Sequence, residues 1–289
     1  MFKNLAIFLL GLLFAQEAAS FENGGVGAAQ TDTLSFLHIT DLHVILNQGI
    51  YFQEFMDYRK LKQYDQGENR LREFLQTMPG KTNSEMVIAT GDLVDFFDVN
   101  TADNCMLDIQ SKQFSQLLSE FHVPVFLTLG NHDLFSFDWE NSKLLHNQNS
   151  AERCRAAWIR NIPCFRNGTY YSEKFQVGQT TYKFIFLDDS FYQFLPEDST
   201  EIPYIDKPQL YWLNAQLHES EDDIEIIMMH IPLIDPVIKP HFSRVLYTAL
   251  AENPTTRLIL CGHNHKNAIK NFTSVENKNM VQVQTGSLV

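Results

Sequence analysis

Apolar and β-branched residues gather along this chain in short runs: Leu34 to Ile39, Met86 to Ala89, Val123 to Leu129, Tyr182 to Leu187, Ile224 to Met229, Arg257 to Leu260 and Met280 to Val283. Runs of this length and composition predict strands. Helical spacing falls between several of them, at Asn69 to Leu75, at Asp108 to Glu120 with Phe114, Leu117 and Leu118, and at Gln209 to Leu217. Such alternation predicts an α/β protein whose sheet strands are joined by crossover helices. In sheets of that kind, ligands collect outside the carboxyl ends of the strands.

The polar residues that follow the runs respect this rule. Asp41-Leu42-His43 follows the first run, Gly91-Asp92 the second, Gly130-Asn131-His132-Asp133 the third, His230 the fifth and Gly262-His263-Asn264-His265 the sixth. Carboxylate, imidazole and amide donors suit Mn, Zn or Fe(II), and no Cys-rich motif points to a structural zinc site. Two divalent ions a few ångströms apart need a shared ligand, and Asp92 is the candidate bridge. Asp41 and His43 can turn toward one ion, while His263 and His265 can reach different ions. Two carboxylates against two divalent ions leave about two positive charges, because imidazole ligands are neutral when bound. That surplus suits a bridging hydroxide and a phosphate group. His132 is not needed to complete either ligand shell, so it is a candidate proton donor to a leaving alkoxide, with Asp133 orienting its ring.

Composition narrows the partners. A chain of 289 residues with 44% hydrophobic content can bury a large core in one domain. Its formal net charge of -13 disfavours a nucleic-acid backbone or an anionic membrane surface. A small phosphate ester drawn in by bound metal fits better. Lys3, the apolar run Leu5 to Phe14 and the small residues Ala18, Ala19 and Ser20 predict a signal peptide over residues 1–20, cleaved near Ser20. The run is shorter than the roughly 20 residues a membrane span needs. The expected location is therefore secreted or periplasmic, with a flexible lead-in at 21–33 and a catalytic domain at 34–289. Export would allow Cys154 and Cys164 to close a small loop, while Cys261 reads as a buried thiol. Asn167-Gly168-Thr169 and Asn271-Phe272-Thr273 match the glycosylation acceptor pattern.

Taken in order, these motifs resemble those of the calcineurin-like metallophosphoesterase superfamily, D-x-H, G-D-x-x-D, G-N-H-D/E, H and G-H-x-H. They are met by Asp41/His43, Gly91/Asp92/Asp95, Gly130 to Asp133, His230 and Gly262/His263/His265. The resemblance implies a four-layer αββα sandwich of two mixed sheets flanked by helices. It also implies two metal ions, one held by Asp41, His43, Asp92 and His265 and the other by Asp92, Asn131, His230 and His263. His132 inherits the role of acid or phosphate contact, and Asp133 that of its supporting partner. Asp95 stands where purple acid phosphatases carry a metal-binding Tyr, which argues against an Fe(III)–tyrosinate centre.

The expected activity is hydrolysis of a phosphomonoester or phosphodiester. The competing expectation is a metal-stabilised interaction module that has kept the fold without catalysis. Asp95 reads as holding the loop after Asp92, Phe135 to Trp139 as core with a pocket wall as the alternative, and Asp188-Asp189 as loop caps. Residues 136–168 are the expected specificity insert.

Overall fold

The computed structural model describes residues 33–140, 143–147, 151–194, 201–219, 224–233, 240–272 and 280–289. The expected signal sequence, nearly all of the lead-in and Thr273 of the second acceptor pattern lie outside them. In chain order the strands begin β1 (Phe36–Ile39), β2 (Met86–Thr90), β3 (Asp98–Val99), β4 (Val125–Thr128), β5 (Ser136–Glu140) and β6 (Lys143–Asn147). They continue with β7 (Tyr171–Val177), β8 (Thr180–Phe186), β9 (Phe191–Phe194), β10 (Glu201–Tyr204), β11 (Ile224–Met228), β12 (Thr256–Cys261), β13 (Ala268–Asn271) and β14 (Val281–Gln284). The helices are α1 (Gln53–Lys60), α2 (Gly67–Thr82), α3 (Gln110–Ser119), α4 (Ala151–Asn161), α5 (Lys207–His218) and α6 (Pro240–Ala251).

Two sheets carry the fold. The first is parallel, in the order β1-β2-β4; the second has six strands in the order β13-β14-β12-β11-β8-β7. In the second, β8, β11, β12 and β14 are parallel and the edge strands β7 and β13 run antiparallel. Side-chain alternation sorts the second sheet into two cores. Phe184, Phe186, Ile226, Met228 and Leu260 face the first sheet and share a core with Ile39, Ile88, Leu127, Leu71 of α2, Phe114 of α3 and Trp158 of α4. Their neighbours Ile185, Leu187, Ile227, Met229 and Ile259 point the other way, onto Leu213 and Leu217 of α5 and Leu246 and Leu250 of α6. Helices, sheet, sheet and helices are therefore stacked as the αββα sandwich that the motif order implied.

All seven expected strands and all three expected helices are present, with ends moved by a few residues. Where caps are visible they are local chemistry: Asp206 accepts the Gln209 amide at 2.9 Å to start α5, and Pro208 sits in the first turn, where its missing N–H costs nothing.

The expected insert divides into two parts. β5 and β6 form a hairpin that pairs only with the short β3 among the described strands. α4, by contrast, belongs to the main core: Trp158 is fully buried and its Nε1 donates to the Asp133 carbonyl at 2.8 Å. Cys154 and Cys164, which export would have allowed to pair, are free thiols here. Cys154 lies on the fully buried face of α4, whereas Cys164 sits in the following 3-10 turn, where burial pushes its thiol up to about 11.

Candidate metal centre

Five parallel strands, three in the first sheet and two in the second, end on one edge of the sandwich, and each releases its motif there. Backbone bonds lock these loops together. Asp41 N donates to Gly91 O at 3.1 Å, His43 N to Asp92 O at 2.9 Å and Gly262 N to His230 O at 2.9 Å. Two glycines make room: a Cβ on Gly130 would strike the amide nitrogen of Asp92, and one on Gly262 the hydroxyl of Thr40.

The side chains converge in two groups that share one carboxylate. In the first group His43 Nε2 is 3.0 Å from His265 Nε2, His265 Nε2 is 3.3 Å from Asp41 Oδ1, and His43 Nε2 is 3.8 Å from Asp92 Oδ2. In the second, His230 Nε2 is 3.4 Å from Asp92 Oδ2 and 3.1 Å from Asn131 Oδ1. His263 Nδ1 completes it, 3.1 Å from Asn131 Oδ1 and 3.3 Å from His230 Nε2. The structure thus puts His265 beside Asp41 and His43, and His263 beside Asn131 and His230, the grouping that the resemblance implied.

Several features fit cations. Asp41 Oδ1 is buried without a hydrogen-bond partner, and Asp41, His43, Asp92 and His265 aim donor atoms at a common point. Non-glycine residues rarely adopt positive φ. Here Asp41 (51°), His43 (42°), Asp92 (48°), His263 (75°) and His265 (54°) all do so. Backbone strain of about 1–3 kcal/mol at each persists only where surrounding structure enforces it.

The buried carboxylates of the site shift the imidazoles around them. Burial opposes charging His230, yet Asp92 and Asp41 push it up to about 10. Burial likewise opposes a charge on His132, which Asp92 and Asp95 raise to about 9. Asp92 ionises against the cost of its burial because His230, His132 and His43 surround it, and it is held well below the usual carboxylate range.

His132 opens toward solvent, with 24% of its side chain exposed. Its partner differs from expectation. Asp133 does not orient the ring: its carboxylate accepts the amides of Gly130 at 2.7 Å and Val94 at 2.9 Å, tying the third motif loop to the second. The ring is instead fixed by Asp95, whose carbonyl accepts from His132 Nδ1 at 2.6 Å. That leaves Nε2 as the nitrogen able to meet a substrate.

Asp95 is itself clamped. Arg59 on α1 binds it through Nε at 2.5 Å and through Nη2, and the pair is buried. The Arg59 guanidinium lies 4.8 Å from the centre of the Tyr64 ring, and Tyr64 stacks on His43 at 4.1 Å. Both Asp95 oxygens are thus occupied by a cation, which places this residue in support of the centre. Arg59 and Tyr64 carry no motif and were not legible in the sequence. Removing one partner of a buried pair strands the other, at a cost of about 3–5 kcal/mol. Arg59→Met is expected to lose stability on that scale in denaturant unfolding, and adding Asp95→Asn should recover part of it; a loss below ~1 kcal/mol would show that the pair holds nothing.

Asp189 is the other supporting group. It accepts the amides of His230 at 3.0 Å and Ile231 at 2.7 Å, so its loop-capping role also sets the backbone of a candidate ligand. Asp188 binds Arg155 at 2.9 Å and the hydroxyl of Thr169. Phe135 and Phe137 are core residues, buried in a third cluster with Tyr51, Phe55 and Phe96.

Residues 34–267 match the calcineurin-like phosphoesterase family. The chain belongs to that family. Its members are typically metal-dependent hydrolases of phosphate esters. Among solved structures, this phosphoesterase chain is similar to a dimetal phosphatase from Danio rerio, with a TM-score of 0.58 and 13% identity over 89% of this chain and 88% of that one. It is also similar to GAP50, described as the anchor in the inner membrane complex of Plasmodium, with a TM-score of 0.51 and 15% identity over 88% of this chain and 72% of that one. A purple acid phosphatase from yellow lupin gives a TM-score of 0.54 and 15% identity over 89% of this chain and 45% of that one. At such identities the likeness concerns the fold alone. No curated protein sequence matches the chain.

Proposed function

We propose that this chain is an exported phosphoesterase that uses two divalent metal ions to hydrolyse a small phosphomonoester or phosphodiester. The observation that carries the reading is the pair of donor groups meeting at Asp92, with the partly exposed His132 beside them. Asp41, His43 and His265 would hold one ion with Asp92; Asn131, His230 and His263 would hold the other with it. Bound there, the ions supply a water-derived nucleophile at neutral pH and positive charge for the phosphoryl oxygens.

The protein's own groups do the rest. Asp95 fixes the His132 ring through Nδ1, so Nε2 is placed to give a proton to the departing oxygen. Asp133 and Asp189 hold the loops that carry Asn131 and His230. Export is inferred from the N-terminal pattern, and the acidic chain favours a small organic phosphate, a nucleotide or a lipid head group over duplex DNA. Substrate choice between monoester and diester lies in the surrounding loops.

Metal-stripped protein refilled separately with Mn, Zn, Fe(II) or Mg tests this. Hydrolysis of a nitrophenyl monoester, the matching diester or both is expected with Mn, Zn or Fe(II). Silence with every ion would instead favour the interaction module.

A further inference from the structure

The residues after β14 turn back across the metal edge of the first sheet. Thr285 N still donates to Cys261 O at 3.0 Å, and Gly286 N donates to Asn267 Oδ1 at 2.8 Å. Leu288 N then donates to Thr40 O at 3.3 Å, while the Leu288 carbonyl accepts from Arg70 at 3.5 Å. Leu288 joins the main core and Val289 the third cluster. Between these anchors, Ser287 Oγ donates to the carbonyl oxygen of Asp41 at 2.7 Å and accepts the Val289 amide at 3.2 Å.

That contact falls on a residue whose backbone needs holding. Asp41 has a φ of 51°, in the left-handed region that non-glycine residues rarely adopt. Its amide donates to Gly91 O at 3.1 Å. Its Oδ2 accepts from Thr40 Oγ1 at 2.9 Å and from the His263 amide at 3.0 Å. Ser287 takes its carbonyl. Only Oδ1 remains without a hydrogen-bond partner, 3.3 Å from His265 Nε2.

We propose that Ser287 is a positioning residue for the candidate metal ligand Asp41, holding its strained peptide in the orientation that presents Oδ1 to the ion shared with His43 and His265. Ser287 is not among the candidate ligands and acts on the centre through the Asp41 carbonyl. The inference rests on the two-metal reading above. It points to the ion shared with His43 and His265, because Asp41 Oδ1 faces His265 Nε2, whereas Asp41 meets the second group through Oδ2 and the backbone amide of His263, not through a candidate ligand atom of that group.

The test is calorimetric titration of Mn2+ into the metal-stripped full chain. In Ser287→Ala, one of the two Mn2+ equivalents is expected to bind about 10- to 100-fold more weakly, the range seen when a group supporting a metal ligand is removed. The other equivalent should be unchanged. Ser287→Thr, which keeps the hydroxyl, should restore most of the loss. Leu250→Ala, in the core behind the second sheet, should lower the melting temperature and leave both affinities unmoved. If Ser287→Ala does not fold, Ser287→Cys, a weaker donor of similar size, gives the same readout. Wild-type affinities in the Ser287 variants, or an equal weakening in Leu250→Ala, would overturn the assignment. A wild-type chain that takes up no Mn2+ would overturn the two-metal reading and this inference with it.

Discussion

Asp92→Ala is expected to remove both ions together, taking Mn2+ uptake from two equivalents toward none and lowering kcat/KM by at least ~10³-fold. The size follows from the charge stabilisation that metal supplies, several kcal/mol, at about 1.4 kcal/mol per decade of rate. The breadth of the effect follows from geometry. Asp92 Oδ2 is 3.8 Å from His43 Nε2 on one side and 3.4 Å from His230 Nε2 on the other, so no single-ion defect can result if it is the bridge. Its Oδ1 also accepts the His132 amide at 2.9 Å, so circular dichroism must accompany the metal count to separate ion loss from loop collapse. Two retained equivalents in a folded variant would remove the bridge from the scheme.

His132→Ala should behave oppositely. The ring's Nδ1 is engaged by the Asp95 carbonyl at 2.6 Å, so both Mn2+ equivalents should remain while kcat falls by about 10²–10⁴, the usual contribution of a positioned proton donor. The effect should appear in kcat more than in KM, since the proton is needed only as the bond to the departing oxygen breaks. Wild-type turnover in a variant with full metal content would end the role assigned to this residue.

The central strands were legible because their apolar runs, such as those of β2 and the second half of β8, are buried on both faces. Elements at the margin were hidden for the complementary reason. β7, Tyr171 to Val177, is an edge strand whose Glu173 and Lys174 are exposed, so its run is diluted by charge. α1 buries Phe55, Met56 and Arg59, and an arginine on the inward face conceals the spacing. The metal motifs were legible as a set because each donor follows a strand.

Their supporting shell was legible only in part, and Asp133 shows why. His132 to Leu134 form a 3-10 turn, in which successive side chains diverge by about 120°. Neighbours in the chain therefore face different ways, and His132 meets Asp95 from another loop. Cys154 and Cys164 teach the same lesson, since helix phase sends Cys154 into the core. Arg59 lies 36 positions before Asp95, and nothing in local pattern connects them.

The division of donors between the sheets has one more consequence. Asp41, His43, Asp92 and Asn131 come from strands of the first sheet, and His230, His263 and His265 from the second, so neither half of the chain can assemble either ion's surroundings alone. In the proposed two-metal centre, ion capture would wait until the two halves have closed on each other, and a loaded centre would report finished folding. For a chain that reaches its working compartment unfolded, this would defer the choice of metal to the ions available at the destination.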